Sequence, residues 1–335
     1  MKKINTIKKA FSALAPKSSV LPILECVLVI GNRLIITDLN TSVIVKDIDI
    51  PLDFVLEGKD FIKACGYVDN AKFEKKEQRI TISNEDESFT FYSENVGDFP
   101  KVEYPDAISV GKLPASDVAH IMRASTVISK DELRPAMMCV AIKDGYIMGT
   151  DAHSAIYEKS EFGCSKPILL GKKAVKLVGL FPKSDWVVLL SDQKVVLEND
   201  DIIIIQRVDD NRFPDLMAVI PKELSIGMTV NKTDFKSAVT RALLCAPKTL
   251  YSVTLEVNSR LTVSSEDVMT NNAYKRQLSC KHTGDTITVP LNGRMLLNLI
   301  NGIKADELTF GMYNQDRCVV INGSSLLMPV KSNNY

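Results

Sequence analysis

Histidine is scarce in this chain. Only His120, His153 and His282 occur among 335 residues, too few for a histidine-rich metal centre. The seven cysteines (Cys26, Cys65, Cys139, Cys164, Cys245, Cys280 and Cys318) are scattered, odd in number and never spaced as Cys-x-x-Cys. That pattern suits neither a disulfide framework nor a zinc site, and points to free thiols in a reducing compartment. No apolar run reaches the length that spans a bilayer. The opening MKKINTIKKAF carries four lysines but lacks the apolar core and small-residue cleavage site of a secretory signal, so a cytoplasmic location is the expectation. Net charge is missing too, since 41 basic residues balance 41 acidic ones. Catalytic motifs are equally sparse. LLGKKAVKL contains Gly-Lys without the G-x-x-x-x-G-K-[ST] spacing of a phosphate loop. KDELRP is internal, so it is not a retention address. Asp151 and His153 would point the same way from a strand end, but no third ligand or nucleophile accompanies them. The sequence therefore offers no catalytic set, no metal site and no cofactor site.

What is present is a threefold repeat. Each third opens with an amphipathic helical stretch: IKKAFSALA from Ile7, VAHIMRAST from Val118 and FKSAVTRAL from Phe235. A hairpin follows, with a second strand that ends in a hydroxyl residue: VLVIGNRLIITD, VAIKDGYIMGTD and TLEVNSRLTVSSE, with markers Thr37, Thr150 and Ser265. Turn chemistry at Gly31-Asn32, Asp144-Gly145 and Asn258-Ser259 supports these hairpins. A second helix then begins with glycine and a cation, at Gly58, Gly171 and Gly293, and each third closes on Phe99-Pro100, Phe213-Pro214 or Met328-Pro329. Four markers in one order imply one architecture used three times. The reading is helix, two strands, a further strand, helix, then several strands. This is an α+β fold with two helices on one face of antiparallel sheet. The expected domains are 1–110, 111–222 and 223–335.

The charge of the neutral chain is not evenly spread. Residues 1–18 carry +5, residues 171–183 +4, residues 231–248 +3 and residues 293–304 +2, while the helical spans 58–70 and 114–134 balance to zero. The helical set thus carries +14 and the remainder −14. One basic layer can neutralise phosphates without reading bases, which is the pattern of non-specific duplex binding. The candidates to face DNA are Lys8, Lys9, Lys17, Arg123, Arg134, Lys172, Lys173, Lys176, Lys232, Lys236, Arg241 and Arg294. The plainer alternative is that these cations only solvate exposed helix faces.

These features come with specific motifs: LPILECVLV and ITDLNTSV, KDELRPAMMCV and TDAHSAIY, NRFPDLMAVIP, and LLMPVK. In this order the chain resembles the bacterial DNA polymerase III beta subunits, the beta sliding clamps. The resemblance implies three clamp domains per chain, with antiparallel sheets outside and two helices of each domain inside. Two chains would close head to tail into a ring around duplex DNA. Such a ring is a processivity factor, not an enzyme, and its partners are double-stranded DNA, a polymerase and a clamp loader. By motif, the resemblance places a partner-peptide pocket at Met137, Thr150, Ala152, His153, Ala155, Pro214, Val219, Leu326, Leu327, Met328 and Pro329. It places the dimer interface at Phe89, Phe91 and Leu244. TDAHSA departs from the family's TDGHRL, so Ser154 stands where an arginine is usual, and Ala218 occupies a position that is often basic. The competing reading is a clamp-fold interaction scaffold that no longer encircles DNA.

Overall fold

The computed structural model describes residues 3–15, 19–164, 166–208 and 211–330. The first third runs α1 (Ile4–Leu14), β1 (Cys26–Ile30), β2 (Arg33–Thr37), β3 (Thr41–Val45), β4 (Phe54–Glu57), α2 (Gly58–Tyr67), β5 (Lys72–Lys76), β6 (Arg79–Ser83) and β7 (Ser88–Tyr92). The second runs β8 (Ile108–Leu113), α3 (Ala115–Ala124), β9 (Cys139–Lys143), β10 (Tyr146–Thr150), β11 (Ser154–Lys159), β12 (Ile168–Gly171), α4 (Lys172–Val178), β13 (Trp186–Leu190), β14 (Lys194–Glu198) and β15 (Ile202–Arg207). The third runs β16 (Ile226–Asn231), α5 (Lys232–Ala242), β17 (Ser252–Val257), β18 (Leu261–Asp267), β19 (Asn272–Leu278), β20 (Cys280–Thr283), β21 (Ile287–Asn292), α6 (Gly293–Asn301), β22 (Glu307–Met312), β23 (Val319–Ile321) and β24 (Ser325–Leu327).

The six expected helices are all present. Each repeat also holds a strand that the pattern did not announce, β4, β12 or β21, running directly into the second helix. Those strands are short and end on the helix, so their alternation merges with the helical period. α1 forms because Ile7, Ala10, Phe11 and Leu14 recur at helical spacing and are all buried. Side chains cap α2, α5 and α6: Glu57 accepts from Asp60 N, Asn231 from Asp234 N, and Asn292 from Arg294 N and Met295 N. The recurring glycine at the second helix has a packing cause. A Cβ on Gly58 would lie 2.1 Å from the Phe11 ring, and one on Gly293 would lie 2.7 Å from Val253. Only glycine permits these helix starts to sit so close to their neighbours.

Two compact units are distinguished, one of residues 1–119, 142–145 and 160–210, the other of residues 120–141, 146–159 and 211–335. In the first unit, one sheet has the strand order β4-β1-β2-β3-β15-β14-β13-β8, and β5-β6-β7 forms a separate small sheet. In the second unit the order β10-β11-β24-β23-β22-β16-β20 is continuous, and β19-β18-β17-β21 forms a separate sheet. All the pairings whose register is resolved are antiparallel, including the β3·β15 and β11·β24 joints. The first unit's core contains Phe54, Phe61, Trp186 and the helix residues Ile7 and Leu14, and the second contains Phe235, Val253, Leu296 and Leu327, each under 1% exposed.

The two tight hairpins agree with their turn residues. Gly31 and Asn32 have φ of 54° and 62°, and Asp144 and Gly145 have 52° and 75°, the double positive φ of a type I′ turn. The third hairpin has a three-residue loop instead, in which Asn258 Oδ1 accepts from Arg260 N at 2.9 Å. Beyond this loop Leu261, fully buried like Leu34, pairs Leu278 as Leu34 pairs Val45.

Candidate functional site

The loop after β10 is built by its own side chains. Thr150 Oγ1 accepts from Ala152 N at 3.1 Å, while Asp151 Oδ1 accepts from His153 N at 3.0 Å and Ser154 N at 2.6 Å. The same turn occurs after β2. There Thr37 Oγ1 accepts from Leu39 N, and Asp38 Oδ1 accepts from Asn40 N and Thr41 N. Leu39 and Ala152 both take φ of 75°, which costs a side-chain-bearing residue roughly 1–2 kcal/mol. The Asp151 carboxylate is therefore occupied by the turn. Among the described residues no three His, Cys, Asp or Glu side chains are grouped to hold a metal ion.

From this turn β11 pairs with β24, Ser154 opposite Leu327 and Ala155 opposite Leu326. Met328 N donates to His153 O at 2.8 Å. Pro329 bridges Leu291, and Val330 N donates to Pro290 O. Thr150, Ala155, Leu326 and Leu327 are buried, Met328 and Pro329 half-buried, and Ala152 and His153 exposed. Met137 sits in the 3-10 turn Pro135–Met138 before β9, with its carbonyl accepting from Ser129 N. Pro214 is half-buried and Val219 is 45% exposed. Cys318 Sγ lies 3.4 Å from Val219 O and ties the Val219 loop to β23. Burial pushes the Cys318 thiol up from its ordinary range, so this cysteine is a packing group rather than a nucleophile.

Two features here were not read from the sequence. Ser154 is buried, and its hydroxyl donates to Asp151 Oδ1 at 3.0 Å, so this position turns inward and presents nothing to a partner. A cavity of about 400 Å³ also opens beside Val219, lined on one side by Met217, Ala218, Ile220 and Pro221 and on the other by Tyr313 and Arg317. Tyr313 and Arg317 come from the β22–β23 connection, nearly a hundred residues away, and no local pattern marks them.

The basic helices divide into free and engaged cations. Lys8 and Lys9 on α1, Lys172 and Lys176 on α4, and Lys236 and Arg241 on α5 are exposed and have no ion pair among the described residues. Arg294 is exposed with its guanidinium 3.4 Å from the centre of the Tyr251 ring, a cation–π contact that fixes the group without neutralising it. Three others are partly spent: Lys173 on Asp38, Lys232 on the Ile303 carbonyl, and Arg134 on Asp131 at 3.6 Å. Lys17 lies outside the described residues. Arg123 must be corrected. Its side chain is only 14% exposed and is bound to Glu158, Ser324 and Ser325, so it is not available to a phosphate.

At the expected dimer interface, Phe89 and Phe91 are neighbours on β7, stacked at 6.3 Å between centroids, and Tyr67 of α2 lies against Phe89. Leu244, just past α5, is 83% exposed. No helix among the described residues is long and apolar enough to cross a membrane.

Residues 217–326 match the family model of the DNA polymerase III beta subunit, C-terminal domain. A beta sliding clamp of Rickettsia bellii is 24% identical over 75% of this chain and 74% of its own length. One from Chlamydia pneumoniae is 20% identical over 98% and 96%. Among solved structures, a sliding clamp (DNA polymerase III subunit beta) from Pseudomonas aeruginosa superposes with a TM-score of 0.87 at 15% identity, covering 98% of this chain and 97% of that one. The sequence likeness to the DNA polymerase III beta subunit family is thus to its C-terminal domain, over residues 217–326, and from end to end the fold is that of the solved sliding clamps.

Proposed function

We propose that this chain is a DNA sliding clamp: copies of it close head to tail around duplex DNA and hold a polymerase there through short peptides. The observation that carries this reading is a strand joint made twice. In one unit, β3 of the first repeat pairs with β15, the last strand of the second repeat. In the other, β11 of the second repeat pairs with β24, the last strand of the third. By the same rule β19 of the third repeat calls for β7, the last strand of the first. Both β19 and β7 stand at the end of their sheets. A joint that the chain makes twice and leaves open once is a heterologous contact, which closes a ring when copied and removes two exposed edges.

The two open edges complement each other. β7 is flanked by Glu85, Asp86, Glu87 and Glu94, and β19 carries Lys275 beside Arg276, the latter already paired with Asp234. Phe89 and Phe91 lie on the β7 edge and Leu244 beside the β19 sheet, available to bury apolar surface in the joint. The register carries over as well. Thr41, paired with Gln206 in the first joint, corresponds to Tyr274. Gln206 pairs Val195, the second residue after its turn, as Phe91 pairs Ile80. The third joint thus sets Tyr274 opposite Phe91 and Lys275 opposite Thr90.

The three-domain division 1–110, 111–222 and 223–335 follows from this repeat, and the cations free on α1, α4, α5 and α6 would line the hole. Encirclement replaces affinity, so contacts with phosphates can be weak and the ring can slide. Binding and topology account for the whole role, which requires no catalytic group. The partner peptide would lie along Met328, His153 and Val219, with apolar anchors entering the site and methionine adapting to more than one partner. The test is a double substitution, Lys275→Cys with Thr90→Cys. Oxidation should yield covalently closed rings, and failure to cross-link at any concentration contradicts the joint. The alternative, a scaffold that no longer encircles DNA, predicts the same cross-link without retention on circular DNA.

A further inference from the structure

The polar cluster around Arg123 has no place in DNA binding. We infer that Arg123 is a positioning residue for the partner-peptide site, holding the β24 segment in the register that forms the site's wall. This rests on the peptide-site reading given above.

The geometry is specific. Arg123 leaves the end of α3, and its Nη1 donates to Ser324 Oγ at 2.9 Å while Nη2 donates to Ser325 Oγ at 2.8 Å. The same guanidinium pairs with Glu158 of β11, whose carboxylate also accepts from Ser324 Oγ at 3.4 Å. Tyr157 N donates to Ser324 O at 2.9 Å. A Cβ on Gly302, at the end of α6, would come within 3.4 Å of the Arg123 side chain. One half-buried side chain thus joins α3, β11, the turn into β24 and the end of α6. Burial disfavours the charged guanidinium, a cost offset by the Glu158 carboxylate and the two hydroxyls, and a planar fork suits that arrangement better than an ammonium does.

The segment needs such a pin. β24 is three residues long, with three pairs to β11 and three to β23, so its ladders are short and the Arg123 contacts add to their hold at the Ser324–Ser325 end. Its far end is held separately, through Val330 N on Pro290 O. Leu326, Leu327 and Met328 lie between these two fastenings. Releasing the Arg123 end would leave the half-buried Glu158 without its cation and let Met328 lose its place beside His153.

The test uses the full-length chain with Arg123→Met, Arg123→Lys, and the exchange pair Arg123→Glu with Glu158→Arg. Hydrogen exchange of the Ser324–Met328 and Val330 amides is measured beside the affinity of a fluorescein-labelled peptide carrying leucine and phenylalanine anchors. We expect Arg123→Met to speed exchange at Leu327 and Met328 at least tenfold and to weaken the peptide by a similar factor. The salt dependence of DNA binding should be unchanged. Arg123→Lys should recover part of both effects, as a conservative change that keeps the charge but not the fork. If Arg123→Met is too unstable to study, Arg123→Lys and the exchange pair supply the same comparison. Unchanged exchange at Leu327 and Met328 overturns the inference, as does faster exchange with full peptide affinity. A wild-type chain that does not bind the peptide overturns the pocket reading instead, and the pin is then decided by exchange alone.

Discussion

The two joints between repeats are the same in topology and opposite in construction. β3·β15 has five residue pairs, Ile202 to Gln206 against Val45 to Thr41, and is aliphatic through most of its length. β11·β24 has three pairs, from Ser154 to Ile156, and is reinforced by a half-buried arginine, a glutamate and two serines. A long apolar joint fixes its own register because a one-residue slip would expose every buried side chain. A short one has fewer buried side chains to oppose a slip, and directional contacts add to its hold. The difference suits the two locations. The first joint only connects repeats, while the second also forms a wall of the proposed partner site, where Met328 and Pro329 remain half-buried rather than sealed in the core.

The comparison can be broken most decisively at the third joint. Leu244→Asp places a charge on an 83% exposed residue, so the chain should fold, yet the ring contact should weaken by at least roughly 2 kcal/mol if this is an anchor. Sedimentation across a concentration series reads the change, and an unaltered assembly would remove Leu244 from the interface. Next in size is Met328→Ala, expected to weaken a bound peptide by about 1–2 kcal/mol while assembly and DNA retention stay as they are. Equal peptide affinity would move the site away from the second joint.

A smaller effect separates the free cations from the engaged ones. Lys172→Ala with Lys176→Ala, or Lys236→Ala with Arg241→Ala, should flatten the salt dependence of DNA affinity by about 0.9 in log–log slope per lost phosphate contact. An unchanged slope would place these lysines away from DNA. The smallest effect tests the paired turns. Ala152→Gly should relieve the left-handed backbone and stabilise the chain by about 1 kcal/mol in chemical unfolding, and a loss of stability would show that the turn is not strained.

Much of this was legible in the sequence because repetition filters noise. A helix or hairpin that recurs at the same place three times is a stronger signal than any one copy, and the six helices lie where the markers Ile7, Gly58, Val118, Gly171, Phe235 and Gly293 put them. What could not be read depended on partners distant in sequence. Arg123 counts as one more helical cation until Glu158 and Ser324 are seen around it, and Lys173 until Asp38 is. Ser154 looks like a change at the rim of a pocket until its hydroxyl is found turned onto Asp151. The open β7 and β19 edges were implied only by resemblance, and the joint rule that connects them required the strand order.

The most direct test of encirclement uses the Lys275→Cys, Thr90→Cys chain mixed with nicked circular or linear duplex DNA and then oxidised. A covalently closed ring should remain on the circle through a high-salt wash and leave once the circle is cut, because topology rather than charge retains it. Equal loss from circular and linear DNA, with the cross-link formed, would contradict the clamp and leave a ring-shaped scaffold in its place.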